Sequence, residues 1–124
     1  MQDPGQKRRR ILIVEDEPMV AMSIEMLLEC EGFESAGIAG TVDEALKRAA
    51  EGDYDAAILD ANLAGVFSGP VAEALKSAGA PFLVLSGYDA EQQRGRYPPD
   101  TVILQKPCRP DAIIEALRAF LPRS

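Results

Sequence analysis

Ala56-Ala57-Ile58-Leu59-Asp60-Ala61-Asn62-Leu63 is an apolar run that stops at a carboxylate. An unbroken apolar segment suits a strand covered on both faces, which would deliver the acid behind it to an exposed edge of a sheet. Three other stretches share the habit. Ile11 to Val14 runs into Glu15-Asp16, Phe82 to Leu85 into Ser86-Gly87, and Thr101 to Gln105 into Lys106-Pro107. These junctions set the expectation of one site built from several strand ends.

Working outward, the segments between these runs carry helical spacing. Pro18 sits where a first turn tolerates proline, Val20, Ile24, Leu27 and Leu28 follow, and Gly32 ends the helix. Met19, Met22 and Met26 of that helix read as gap-filling core. Phe33 to Ala39 is a second strand. Thr41 followed by Glu44 is a capping-box pattern, opening a helix with Val42, Ala45, Leu46 and Ala49 inside and Gly52 as its stop. Asn62 to Gly69 reads as a glycine-punctuated loop, with a helix restarting at Pro70 and ending at Gly79. Residues 89–100 are polar, hold Gly95, Pro98 and Pro99, leave room for a short helix at most, and are the expected mobile segment. Pro110 opens the last helix, ahead of Ile113, Ile114, Leu117, Phe120 and Leu121.

Alternating strands and helices imply an α/β fold, a doubly wound parallel sheet with right-handed crossovers and helices on both faces. Ligands in such sheets bind at the carboxyl ends of the strands. Residues 1–9 read as a flexible basic leader and residues 10–124 as one domain.

Composition bounds the chemistry. The 124 residues hold 13 basic and 20 acidic side chains and no histidine, which excludes imidazole catalysis and histidine-ligated metal. Four of the basic residues are Lys7 to Arg10. From Ile11 onward nine bases face nineteen acids, and a surface near −10 repels nucleic acid. Cys30 and Cys108 lack metal-ligand spacing and fit reduced thiols in a cytoplasmic protein. No apolar stretch is long enough to span a bilayer, and there is no signal-peptide pattern.

Glu15, Asp16 and Asp60 would crowd three carboxylates into one space, which is costly unless a cation neutralises them. Magnesium (Mg2+) suits them best, because it takes oxygen ligands and usually accepts only one or two protein carboxylates plus a phosphate. Lys106 adds a point charge, Ser86 a hydroxyl, and Gly87 room for an incoming group. A carboxylate so flanked is arranged to attack phosphorus and hold an acyl phosphate on Asp60.

Ile11-Leu12-Ile13-Val14-Glu15-Asp16-Glu17, Ile58-Leu59-Asp60, Leu85-Ser86-Gly87 and Gln105-Lys106-Pro107 resemble the signature blocks of the receiver domain of two-component response regulators, CheY-like single-domain receivers included. The resemblance covers about Arg10 to Leu121. It implies a flavodoxin-like fold with strand order 2-1-3-4-5. It implies that Asp60 accepts phosphate from a histidine kinase or histidine phosphotransfer protein, and that the domain acts in signalling, catalysing only its own phosphorylation and dephosphorylation. Glu15, Asp16, Asp60 and the backbone carbonyl of Asn62 would hold magnesium. Ser86 and Lys106 would contact the phosphoryl group, and Lys106-Pro107 would be a cis peptide. Asn62 and Tyr88, with Gly87 beside them, occupy positions that tune phosphate lifetime.

Family members pair the hydroxyl residue with an aromatic on the fifth strand that turns inward on phosphorylation. Here Ser86 keeps its half of that switch, and the other position is Ile103. The usual Pro-Gly after the acceptor is replaced by Leu63-Ala64-Gly65. The leading expectation is a receiver without an output domain, read by a downstream protein. The alternatives are the receiver of a hybrid histidine kinase and a phosphorylation-independent adaptor. Exposed apolar positions on the first or last helix would support a homodimer, and core packing explains those positions equally well. A nucleotide-binding enzyme is unsupported, since neither GxGxxG nor GxxxxGK[ST] occurs.

Overall fold

The computed structural model describes residues 8–88, 91–93 and 95–121. Five parallel strands form its centre: β1 (Arg10–Val14), β2 (Glu34–Ala39), β3 (Ala56–Asp60), β6 (Phe82–Ser86) and β7 (Val102–Gln105). Their order is β2-β1-β3-β6-β7. A two-residue hairpin, β4 (Asn62–Leu63) and β5 (Val66–Phe67), stands apart from the sheet. With the hairpin set aside, the order is the 2-1-3-4-5 that the resemblance implied.

β3 and β6 are buried along their whole length, which explains why their sequences do not alternate. Leu12, Val14, Ala57, Leu59 and Val84 face one side, with Ala45 and Ala49 of α2 (Val42–Glu51) and Val71, Ala72 and Leu75 of α3 (Gly69–Ser77). Ile11, Ile13, Ile58, Leu83 and Leu85 face the other. There they meet Ala21, Ile24 and Leu28 of α1 (Pro18–Cys30) and Ile113, Ile114 and Leu117 of α4 (Pro110–Phe120). Helices therefore cover both faces.

Local signals set most of the element ends. Thr41 caps α2, its Oγ1 accepting from the Glu44 N–H at 3.1 Å, while the Glu44 carboxylate accepts from the Gly40 N–H. Gly52 closes α2 in the left-handed conformation, at φ 73°. Pro18 and Pro110 lie in the first turns of α1 and α4, and the Lys106-Pro107 peptide is cis.

Two readings need correction. Met19, Met22 and Met26 are not core: they are 79%, 58% and 66% exposed, and Val20 beside them is exposed as well. The buried stripe of α1 is Ala21, Ile24 and Leu28. That triplet has the same i, i+3, i+7 spacing as the methionines but is set about 200° around the helix from them. Spacing identifies a stripe without saying which stripe faces the sheet. Second, the segment read as a loop from Asn62 to Gly69 holds a hairpin over residues 62–67, and Gly69 already opens α3. Leu63 pairs with Val66, and the two turn residues, Ala64 and Gly65, both have positive φ (52° and 87°), as the tight turn of such hairpins requires. In the polar segment, where a short helix at most is expected, the described residues 91–93 and 95–100 form turns, a bend and a short unstructured link.

Residues 1–7 of the expected basic leader lie outside the described residues. Arg9 already joins the sheet region, its carbonyl accepting from the Glu34 N–H at 2.9 Å.

The burial pattern predicts that Leu59→Ala, which empties the middle of the sheet, lowers unfolding free energy by about 2–5 kcal/mol. Met22→Ala should stay within about 0.5 kcal/mol of wild type. Urea denaturation of the two variants measures both; comparable losses would return the methionines to the core.

Candidate functional site

The register of the central strands decides what meets at their carboxyl ends. β1 and β3 run parallel with Val14 opposite Leu59, so the next residues, Glu15 and Asp60, emerge side by side. Asp16 follows Glu15, and carboxylate oxygens of all three acids lie within 4.8 Å of one another. On the other flank of β3, Asp60 is paired with Leu85, one residue before Ser86. The Ser86 carbonyl accepts from the Lys106 N–H at 2.7 Å, which brings the lysine to the same edge.

Asp60 Oδ1 accepts from the Lys106 ammonium at 3.2 Å and from the Asn62 N–H at 3.3 Å. Glu15 is only 3% exposed. Its Oε2 accepts from the Glu17 N–H at 3.1 Å, and its Oε1 is buried without a hydrogen-bond partner. Burial, reinforced by the charge of Asp60, pushes the Glu15 carboxyl up to about 7, against the pull of the Glu17 N–H and Lys106. A buried, donorless carboxylate oxygen beside two more acids is the environment a hard cation satisfies, so the donor set fits magnesium. Asn62 turns its side chain away, Oδ1 accepting from the Gly65 N–H at 2.7 Å, and its backbone stays beside Asp60.

Ser86 is fully buried. Its Oγ accepts from the Tyr88 N–H at 3.0 Å and from Gln93 Nε2 at 2.7 Å. Gly87 and Tyr88 are exposed at the rim, and Ile103 is half-buried on β7 beside the cluster that contains Tyr97. The structure thus assembles Glu15, Asp16, Asp60, Ser86 and Lys106 at neighbouring strand ends, with Ile103 farther back.

Sequence reasoning noted Phe67 only as part of an unusual loop after the acceptor, and did not single out Gln93, Arg96 or Tyr97. Arg96 lies over the Phe67 ring at 4.2 Å, and Phe67 tilts against Tyr97 with centroids 5.3 Å apart. The Phe67 ring also occupies the space a Cβ at Gly69 would need, at 2.2 Å. Tyr97 is buried, and its hydroxyl and that of Ser68 make no hydrogen bond of ordinary geometry. A lone glutamine in Glu91-Gln92-Gln93 carries no periodic or motif signal, so nothing short of the fold could mark it.

The sequence profile of the response regulator receiver domain matches residues 11–118. The chain is 37% identical over 103 residues to the phyllosphere-induced regulator PhyR of Methylorubrum extorquens, covering 81% of this chain and 39% of that protein. Among solved structures it is similar to SdrG from Sphingomonas melonis Fr1, with 43% identity, 92% of this chain and 97% of that chain covered, and a TM-score of 0.76. The BeF3-activated conformation of SdrG from Pseudomonas melonis Fr1 also matches at 43% identity, with 90% and 95% covered and a TM-score of 0.74. The chain spans between 39% and 52% of the length of the curated relatives it matches.

The raised Glu15 carboxyl makes stability depend on pH. Between the ordinary 4.5 and about 7, folded Glu15 holds a proton that the unfolded chain has released, so its contribution to stability is lost as pH rises through that window. Without divalent cations, the melting temperature should fall from pH 5 to pH 8 more steeply in wild type than in Glu15→Gln. Magnesium at pH 8 should recover stability in wild type. Parallel pH profiles for the two proteins would show that Glu15 carries no such burden.

Proposed function

The chain belongs to the response regulator receiver domain family, and on that premise we propose that it is a phosphoacceptor, taking a phosphoryl group onto Asp60 from a histidine kinase or histidine phosphotransfer protein. The observation that carries the reading is the cluster of Glu15, Asp16 and Asp60 with the Lys106 ammonium 3.2 Å from the middle strand's acid. An adaptor needs none of these groups, and confining them costs stability.

In the proposed reaction an Asp60 carboxylate oxygen forms its bond to phosphorus as the phosphorus–nitrogen bond to the donor imidazole breaks. The departing ring nitrogen takes up a proton. Glu15, Asp16, Asp60 and the backbone carbonyl of Asn62 would hold magnesium, which supplies neutralisation of the negative charge gathered between carboxylates and phosphoryl oxygens. Lys106, now paired with Asp60, passes to a phosphoryl oxygen once the carboxylate has become the acyl phosphate, and Ser86 donates its hydroxyl to another. Asn62 and Tyr88, next to Gly87 at the open rim, govern how water reaches the acyl phosphate.

The altered surface is then read by a downstream protein in the cytoplasm. β7 offers Ile103 where an aromatic would swing, so the response is assigned to the loop after Ser86 and to the segment carrying Gln93 and Tyr97. This is a local charge event biasing a two-state element.

With magnesium and acetyl phosphate, wild type should acquire an acid-stable, base-labile phosphate and Asp60→Asn none. Lys106→Ala should slow uptake by roughly one to two orders of magnitude. A wild type that stays unlabelled sinks the reading. Structures with and without beryllofluoride should differ within residues 86–105 and show no ring reorientation on β7. Identity throughout that span would remove the proposed readout.

A further inference from the structure

A serine hydroxyl has one proton to give and two lone pairs to fill. At Ser86 both lone pairs are occupied, by the Tyr88 N–H at 3.0 Å and by Gln93 Nε2 at 2.7 Å. The first is a backbone amide and can only donate. The second depends on which way the Gln93 amide is turned, and Arg96 settles it. A guanidinium has no acceptor, and Arg96 Nη1 lies 3.4 Å from Gln93 Oε1, so the oxygen faces arginine and the nitrogen faces serine. Gln93 is 2% exposed, and a buried amide of this kind is kept only with its partners in place. With these two donors among the described residues filling its lone pairs, Ser86 has its own proton left to give.

We propose that Gln93 is a positioning residue for the Ser86 hydroxyl, an inference that rests on the phosphoacceptor reading of Asp60. By filling the second lone pair it obliges Ser86 to act as a donor, with its proton directed at a phosphoryl oxygen on Asp60. Arg96 keeps the amide in that orientation, and is itself held over Phe67 of the hairpin that follows Asp60. The two sides of the site are thereby tied together through residues that none of the four signature blocks contains. In the absence of Gln93 the second lone pair is unfilled and the hydroxyl is free to rotate, so part of its donation to the phosphoryl group is lost.

The test is a double-mutant cycle on the whole chain, with magnesium and acetyl phosphate as the phosphodonor. Gln93→Leu keeps the bulk and removes the donor. It should slow phosphorylation roughly three- to tenfold, the worth of one hydrogen bond, when Ser86 is present, and leave magnesium affinity unchanged. Gln93→Glu offers an acceptor that captures the serine proton, and should be slower still. In a Ser86→Ala background neither change should have a further effect. Arg96→Ala, an exposed position that frees the amide to turn, should give a smaller loss that again vanishes with Ser86→Ala; it keeps the test available if the Gln93 variants fold poorly. Equal losses with and without Ser86 would make Gln93 a packing residue only. No loss in either background would overturn the proposal while leaving Asp60 phosphorylation intact. A wild type that takes up no phosphate would overturn the reading of Asp60 and this proposal with it.

Discussion

Three carboxylates held against one another at the ends of two buried strands are the constraint on which the rest of the molecule depends. Like charges at this separation repel, and Glu15 is additionally cut off from water, which is why its carboxyl holds a proton up to about 7. The chain accepts that cost because β1 and β3 are fixed by the packing on both faces of the sheet. Neither strand can slide to relieve the crowding without turning apolar residues into solvent or breaking its ladder. A site strained in this way is stabilised by whatever brings positive charge, whether the Lys106 ammonium already in place or a divalent cation.

Around that centre lies a second layer supplied by connections rather than strands. The hairpin after Asp60 projects Phe67 toward Arg96 and Tyr97, and the same short segment sends Gln93 back to Ser86. Tyr97, at a bend in that segment, is packed in the cluster against which Ile103 of β7 rests.

The methionines of α1 show how far periodicity reaches. Met19, Met22 and Met26 and the truly buried Ala21, Ile24 and Leu28 obey the same spacing, and only contact with β1 and α4 distinguishes them. The hairpin shows a different limit. Ala64 takes a positive φ that its residue type resists, so no local preference announced a tight turn there; the pairing of Leu63 with Val66 imposes it. Gln93 marks a third, because its hydrogen bond to Ser86, seven residues back, is one that no repeat or motif encodes.

By itself the sequence determined the alternation of strands and helices, the capping of α2 by Thr41 and Gly52, and the acids, hydroxyl and amine at the strand ends. Those follow from short-range chemistry: apolar runs that must be covered, caps that satisfy helix termini, and residue types placed where a run stops. Tertiary structure alone decided which stripe of α1 faces inward, how close the three carboxylates come, and which group fills the second lone pair of Ser86. Each of these depends on the register between segments far apart in the chain, and register is set by packing the whole sheet between its two helical layers.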